Sequence, residues 1–367
     1  MKLSPQQFLG KPMSPYAGLP SRSYWRLGVT EQHPTAPVDL YRKKFAIKPS
    51  DQIATAGSCF AQHIAKHLRL HNYQVIDKEP KPLGLAEAEA SKYGYGLYSA
   101  RYGNLYTTRQ LLQLTLEAFG EFEPANVVWT KKDRFFDALR PSVEPNGLAS
   151  EREVALHRAS HLRHVADMLT SADIIIFTLG LTETWEHVAS GTVYPTAPGV
   201  IAGRHDPETV RFRNLTHSEC LSDFLKFREA VKQRNPRVKF LLTVSPVPLT
   251  ATAGGEHVLA ATLYSKSVLR GVAGELAQTC ADIDYFPSYE IIASHPARGF
   301  FYEGNLRSVA AAGVSVVMKT FFEQHALAAP KAEARSSKPA PSPATAAPPK
   351  KHEELVCEEA MLEAFAQ

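Results

Sequence analysis

Gly57, Ser58 and Cys59 stand where a short apolar run, QIATA, meets a helix-like segment, FAQHIAKHLRL. A strand that turns sharply into a helix places the turn residues at the end of the sheet and at the N-terminus of the helix. The unpaired N–H groups and the helix dipole favour negative charge there and could hold an oxyanion. We therefore expect Cys59 to have a lowered pKa, which would increase its nucleophilic thiolate form.

The same three residues also allow a purely structural interpretation. Gly57 would form a tight turn, Ser58 would cap the helix, and Cys59 would be a small buried side chain. The motif by itself does not decide between the two interpretations.

The elements that must position this corner alternate along residues 51–325. Five runs are typical of buried strands: QIATA, QVIDK, DIIIFTLG, VKFLLTVSPVP and IDYFPSYEII. Helix-periodic segments lie between them. Apolar strands separated by helices predict an α/β fold, with a parallel sheet covered on both faces. Gly57, Gly180 and Ser245 each follow a strand, so we expect them at one edge of this sheet.

The chain divides into four segments. Residues 1–50 are predicted to pack as an N-terminal arm on an α/β domain of residues 51–328. Residues 329–351, rich in Pro and Ala, are predicted to be a disordered linker because they cannot bury a core. Residues 352–367 predict a short amphipathic helix that docks on its own domain or on a protein partner; a frayed tail is the alternative. Its expected apolar contacts are Leu355, Met361, Leu362 and Phe365.

Composition argues against several classes of protein. The net charge is only +4 and the basic residues are dispersed, so we expect no nucleic-acid partner. No apolar run reaches the ~20 residues of a membrane span, and the N-terminus lacks the apolar core of a secretory signal, so we expect a cytoplasmic protein. The four cysteines form no CxxC pair, which argues against a zinc cage or a disulfide framework.

Two further patterns are interpreted as surface features. Histidines repeat at helical spacing in two segments: His63, His67 and His71, and His157, His161 and His164. Histidines four residues apart can share a zinc ion, but no acidic third ligand has suitable spacing, so we predict solvated basic helix faces and no metal site. The segment KKDRFFDALRPS, residues 131–142, is interpreted as a surface loop rather than a grip for an anionic or sugar substrate.

Six blocks of the sequence resemble the GSCFA domain family: GSCFA itself, YGNLYTTRQLL, FTLGLTETW, TVSPVPL, YSKSVL and DYFPSYEII. The family is grouped with the SGNH (GDSL-like) hydrolases, so the resemblance implies a flavodoxin-like three-layer α/β/α sandwich. It also implies an esterase or acyltransferase that modifies a bacterial polysaccharide or glycolipid. No cofactor would be required, and acetyl-CoA would be a suitable co-substrate in the cytoplasm.

The resemblance assigns roles to residues in the first two blocks. The nucleophile of SGNH enzymes is the third residue of a Gly-Asp-Ser block, which corresponds to Cys59, with Ser58 as the runner-up. In the second block, the N–H of Gly103 and the side chain of Asn104 correspond to oxyanion donors.

The third and last blocks depart from the SGNH pattern. The usual Gly-x-Asn-Asp is replaced by Gly180-Leu181-Thr182-Glu183, so Thr182 stands in the place of the asparagine. The final Asp-x-x-His falls on Asn305 and Ser308, and neither side chain can act as a general base.

A general base must therefore come from elsewhere, or the domain binds without catalysing. Our first candidate base is His295, followed by Glu183, His187 and His257, while Glu290 could orient an imidazole. Trp185 is expected either to form a wall of the cleft or to pack in the core. The alternative function is that of an inactive SGNH-like domain that binds a carbohydrate or a protein partner.

Overall fold

The computed structural model describes residues 14–325 and 358–366, so the predicted linker, residues 329–351, lies outside the described part of the chain. The strands are β1 (Ile53–Gly57), β2 (Val128–Lys131), β3 (Arg134–Asp137), β4 (Ile174–Leu179), β5 (Glu183–His187), β6 (Val193–Tyr194), β7 (Val210–Asn214), β8 (Lys239–Val244) and β9 (Ile283–Tyr285). The α-helices are α1 (Phe60–Leu70), α2 (Glu87–Lys92), α3 (Thr108–Ala118), α4 (Glu151–Ser171), α5 (His217–Lys232), α6 (Val258–Thr279), α7 (Ser288–Ala293) and α8 (Ala311–His325).

The central sheet consists of four parallel strands in the order β1-β4-β8-β9. A short segment joins the free side of β1, where the N–H of Ile53 donates to the Gln74 carbonyl at 2.9 Å and the N–H of Ile76 donates to the Ile53 carbonyl at 3.0 Å. QVIDK, predicted as a strand, forms only this bridge. With the bridge included, the strand order by chain position is 2-1-3-4-5, as in flavodoxin-like folds.

Helices cover both faces of this sheet, which confirms the predicted three-layer α/β/α architecture. Side chains alternate between the two faces of a strand, and β4 shows this directly. Ile175 and Phe177 pack in one apolar cluster with residues of α3, α4, α5 and α6. Ile174 and Ile176 pack in a second cluster with residues of α1, α7 and α8.

Two smaller β units, which the sequence patterns did not predict, lie outside the central sheet. One is an antiparallel sheet in the order β6-β5-β7, and the other is the β2-β3 hairpin. The interpretation of residues 131–142 as a surface loop is wrong. The segment lies largely in this hairpin, and its Phe136 and Arg140 are only 4% and 3% exposed.

The chain before β1 contacts the domain through polar anchors. The Tyr41 hydroxyl donates to the Asp284 carboxylate at 2.9 Å, and both residues are buried. The Lys44 ammonium donates to the carbonyl groups of Cys280 at 3.0 Å and Ile283 at 2.7 Å. These contacts attach residues 41–44 to β9 and to the residue that follows α6.

The C-terminal segment forms a 3-10 helix, Glu358–Phe365. The predicted contacts are only partly present, because Met361 is 48% and Phe365 is 66% exposed. Leu362 is half-buried, and Leu355 lies outside the described residues. Within residues 14–325 and 358–366, none of the helices has both the length and the apolar character needed to cross a membrane.

Candidate active site

The corner between β1 and α1 depends on Gly57. Its φ of +132° is rarely adopted by other residues, and a Cβ atom at this position would lie 2.6 Å from the Thr178 backbone nitrogen. The Ser58 N–H donates to the Thr178 carbonyl at 3.1 Å. Helix α1 begins at Phe60, with Cys59 as the N-cap residue. The predicted strand–turn–helix is therefore confirmed, although Ser58 does not cap the helix.

The ends of three neighbouring strands meet beside this corner, as expected. A Cβ atom on Gly180 would lie 2.9 Å from the Ser58 Cβ, so the serine side chain packs directly against the end of β4. The Tyr106 carbonyl accepts from the N–H groups of Gly180 at 3.1 Å and Leu181 at 2.9 Å. On the next strand, the Ser245 N–H donates to the β4 backbone at 2.8 Å.

Both candidate nucleophiles are largely covered. Ser58 is 3% exposed, and its Oγ has no hydrogen-bond partner among residues 14–325 and 358–366. Cys59 is 4% exposed and belongs to the apolar cluster on the α1 face of the sheet, together with Val247 and Phe301. In this conformation neither the Ser58 hydroxyl nor the Cys59 thiol lies on an open surface.

The second family block lies against this corner. The Leu105 N–H donates to the Gly57 carbonyl at 3.0 Å. Gly103 has a φ of +71° and is half-buried, and its N–H has no acceptor within the described part of the chain. The oxyanion role that the resemblance implies for this N–H stays a prediction.

A buried amide and phenol network supports this block. The Tyr98 hydroxyl donates to Oδ1 of Asn104 and lies 3.2 Å from the Ser58 carbonyl. Gln62 donates its Nε2 to the Tyr98 hydroxyl at 3.2 Å. Because Asn104 accepts through Oδ1, its NH2 group is the donor side of the amide. The network links the second block to the first through neutral groups.

The third block is held by α6 and β7. The Lys266 ammonium, on a side chain that is 1% exposed, donates to the Gly180 carbonyl at 2.7 Å. Ser265 accepts from the Thr182 N–H at 2.9 Å, and the Thr182 hydroxyl donates to Asn214 Oδ1 at 2.6 Å. These contacts give Thr182 a structural role. Sequence reasoning missed the role of Lys266, although its position three residues before Leu269 places it on the buried stripe of α6.

The candidate carboxylates make contacts outside the corner. Glu183 accepts from the Thr252 hydroxyl at 2.7 Å, and burial raises the pKa of its carboxyl group. Glu290 accepts from the Tyr285 hydroxyl at 2.7 Å and pairs with Arg270. The structure thus pairs Glu290 with a guanidinium and a phenol.

The candidate imidazoles also make contacts elsewhere. His295 is exposed and stacks on Trp25, with 5.4 Å between ring centroids. His257 caps α6 by accepting from the Leu259 N–H at 3.1 Å, and His187 contacts the Ser190 hydroxyl at 2.9 Å. None of the described histidines hydrogen-bonds to Ser58 Oγ.

A closed polar turn occupies the position of the missing Asp-x-x-His. Nδ2 of Asn305 donates to the Ser308 hydroxyl at 3.0 Å, and the Ser308 N–H donates back to Asn305 Oδ1 at 2.9 Å. The preceding Tyr302 hydroxyl donates to the Pro246 carbonyl at 2.7 Å, so this loop is tied to the chain just after β8. This last block therefore lies at the sheet edge, but Asn305 and Ser308 provide no acid–base group there.

Trp185 packs with other aromatic rings on the small sheet. Its ring lies edge-on to Phe212 and His205, at centroid distances of 5.8 Å and 5.1 Å. It joins the partly buried side chains around Trp129 and Tyr194. Of the two expectations, the structure supports core packing.

The prediction that both histidine repeats lie on solvated faces is wrong for His161. Its side chain is 1% exposed, and its Nδ1 lies 2.7 Å from the Glu79 carboxylate. His63 is also partly covered, and its pKa is lowered to about 4 by burial, with smaller effects of His67 and Lys66. Across residues 14–325 and 358–366, His, Cys, Asp and Glu form no group of three that could hold a metal ion.

Comparison with known proteins gives a family and weak likenesses among solved structures. A solved structure from Streptococcus pneumonia, provisionally described as a platelet activating factor, is 14% identical to this chain. The match covers 47% of this chain and 67% of that one, with a TM-score of 0.27. Comparison with curated proteins gives no match. The model of the GSCFA family matches residues 52–321, which is most of the chain. The protein therefore belongs to the GSCFA family.

Proposed function

We propose that this protein is an acyl-transfer enzyme with Cys59 as its nucleophile. The observation that supports this most directly is the corner at Gly57, which holds Cys59 at the N-terminus of α1 and at the carboxyl end of β1. This is the point where the strand order reverses, the usual place for ligands in such sheets. A helix N-terminus favours the thiolate form of a cysteine, whereas the apolar surroundings of Cys59 oppose it.

Cys59 is a better nucleophile candidate than Ser58. A serine hydroxyl needs an adjacent base to take its proton, whereas a thiol ionises much more readily. Ser58 Oγ has no hydrogen-bond partner in the described part of the chain, so no described base is placed to receive that proton.

In the proposed reaction, the Cys59 sulfur attacks the carbonyl carbon of an ester or thioester. A carbon–sulfur bond forms, and the carbonyl electron pair moves to the oxygen, where the Gly103 N–H stabilises it. Collapse of this intermediate expels the leaving group, which takes a proton from solvent. An acceptor hydroxyl or water then attacks the acyl-cysteine, releases the thiolate and gives up its own proton to solvent.

We take the donor to be acetyl-CoA and the acceptor a carbohydrate or glycolipid. This choice rests on the family resemblance and on the cytoplasmic location expected from the sequence.

The test compares variants of the full chain with a short-chain aryl ester and with acetyl-CoA. We expect Cys59→Ala to lower turnover by about 10³-fold or more, as loss of a nucleophile does. The matched control is Cys280→Ala, which removes a half-buried thiol at the end of α6 and should retain turnover. Ser58→Ala should retain more activity than Cys59→Ala, and the reverse order would make the serine the nucleophile. Wild-type turnover in Cys59→Ala would exclude the thiol.

The alternative function is binding of a carbohydrate or a protein partner without turnover. It is favoured by the Asn305–Ser308 turn, in which neither side chain can act as an acid or base near neutral pH. Absence of turnover with both donors, together with no alkylation of Cys59 in the folded chain, would support this alternative.

A further inference from the structure

A small interior cavity of about 30 Å³ lies beside α3, α4 and the segment that follows β3. It is separate from the β1–α1 corner. Its lining combines apolar side chains with the polar side chains of Gln110, Gln113, Glu117, Arg140, Arg158 and His161. One water molecule needs roughly 10–15 Å³ of such space and at least two polar partners. The cavity is therefore large enough for one or two water-sized groups.

His161 presents a hydrogen-bond acceptor to this cavity. The imidazole is neutral at ordinary pH, because burial and the nearby Arg140 lower its pKa to about 4. Burial by itself would raise the pKa of Glu79, but its contacts with His161 and Arg140 outweigh this and lower it to about 2. The carboxylate can only accept, so Nδ1 of His161 carries the proton and donates to Glu79 at 2.7 Å. Nε2 is then the unprotonated nitrogen.

This Nε2 atom has no hydrogen-bond partner among residues 14–325 and 358–366, although its side chain is only 1% exposed. Buried polar atoms without a partner are uncommon because their desolvation is not compensated. The cavity is the place where such a partner can lie, since His161 lines it.

Hydrogen-bond donors line the same cavity. Oε1 of Gln110 accepts from the N–H groups of Tyr106 at 2.9 Å and Thr107 at 3.0 Å, which leaves its NH2 group as the donor side. Arg140 uses Nε for Asp137 and Nη1 for the Arg101 carbonyl, and its Nη2 makes no hydrogen bond to another described residue. A group that both donates and accepts would match this lining.

We propose that this cavity binds a hydroxyl group, from water or from a short alcohol. The hydroxyl donates to Nε2 of His161 and accepts from the NH2 group of Gln110 or from Arg140. It thereby joins α4 to the first turn of α3. Gln110 also accepts from the Tyr106 N–H, and the Tyr106 carbonyl accepts from Gly180 beside Ser58. The bound hydroxyl is therefore connected to the corner through hydrogen bonds and does not contact a substrate.

The test is a set of crystal structures of the full chain that resolve ordered water. Crystals grown without alcohol should show a peak about 2.7–3.2 Å from Nε2 of His161. Crystals soaked in methanol should show either the same peak, which identifies the occupant as water, or a peak extended by one carbon atom, which identifies a short alcohol. Absence of any peak within hydrogen-bond distance of Nε2 in both crystals would overturn the proposal.

A His161 variant tests whether Nε2 itself holds the hydroxyl or whether the hydroxyl only fills the cavity. In His161→Asn the side-chain amide can still donate to Glu79, but Nε2 is lost and the remaining acceptor, Oδ1, lies closer to the main chain, so the peak should move or disappear. Persistence of the peak in the same place would show that Nε2 does not hold the hydroxyl. For wild type, nitrogen NMR of labelled histidine should show a proton on Nδ1 and none on Nε2. The opposite tautomer would also overturn the proposal.

Discussion

The β1–α1 corner and the Glu79–His161 pair differ in the charged side chains that surround them. At the corner, Ser58 and Cys59 lie near the neutral side chains Tyr98 and Asn104 and near apolar residues. The Lys266 ammonium binds the Gly180 carbonyl beside Ser58. Some distance away on α4, an imidazole with its carboxylate is buried in a network that also contains Arg140, Arg158 and Asp137. One region offers nucleophiles, and the other offers an oriented base.

The comparison shows that parts of a catalytic set can be present in a fold without forming one site. A Ser–His–acid triad needs the base within hydrogen-bond reach of the nucleophile. Here the carboxylate–imidazole pair joins α4 to the segment between α1 and α2. The corner is left with a thiol, the nucleophile that depends least on a neighbouring base. The difference favours Cys59 over Ser58.

The largest loss of stability is expected for Arg158→Met, a substitution in the network around Glu79 and His161. Arg158 donates to Glu117 through Nε at 2.6 Å and to Asp137 through Nη1 at 3.0 Å, and its side chain is 7% exposed. Its removal leaves the buried Glu117 carboxylate without its cation and Asp137 with Arg140 alone, so we expect the free energy of unfolding to fall by about 3–5 kcal/mol. Urea denaturation measures this, with the exposed Arg152→Met on the same helix as control. A loss below about 1 kcal/mol would show that the network is not structural.

At the corner, Gly57→Ala should lower the free energy of unfolding by about 3 kcal/mol, from backbone strain and steric overlap together. Gly120→Ala is the matched control, because Gly120 also has a positive φ, +75°, but a Cβ there meets nothing within 4 Å. The control should lose only about 1–2 kcal/mol. Equal losses in the two variants would mean that the close approach to β4 has no energetic importance.

The pH dependence of stability should identify His161. Its pKa is lowered from 6.5 to about 4 in the folded state, so between these values the unfolded chain binds a proton that the folded chain does not. Stability is therefore lost as the pH falls through this range. His161→Asn lacks this dependence, so the stability gap between wild type and variant should narrow by about 2–3 kcal/mol from about pH 7 to about pH 4.5. Urea midpoints at the two pH values measure it, and a constant gap would contradict the assignment.

The smallest effect is expected for Thr107→Ala. Thr107 caps α3 by accepting from the Gln110 N–H, with Gln110 completing the capping box. Loss of the cap should cost about 1 kcal/mol of unfolding free energy. Ser150→Ala removes a cap from α4 instead and should cost a similar amount. Only Thr107→Ala should change the rate of Cys59 alkylation, because α3 starts beside the corner. Equal alkylation rates in Thr107→Ala and Ser150→Ala would show that the α3 cap does not affect Cys59.

The sequence by itself determined the core of the fold. Apolar runs and helical periodicity predicted β1, β4, β8 and the long helices, because local patterns decide which faces can be buried. Gly57 followed by a helix-like segment predicted the corner, since only a glycine tolerates that turn. The GSCFA blocks identified the family. The small sheet β6-β5-β7 was missed because its strands are short and carry charged residues, which do not produce an apolar run.

Only the tertiary structure decided which partner each polar side chain has. Glu290 pairs with Arg270, His295 stacks on Trp25, and Glu79 meets a histidine 82 residues further along the chain. Hydrogen bonds and ion pairs act over a few ångströms, and residues far apart in sequence reach that distance only after the layers have packed. Spacing along the chain therefore predicted where the Gly57–Cys59 corner lies, while three-dimensional packing determined which groups lie near it.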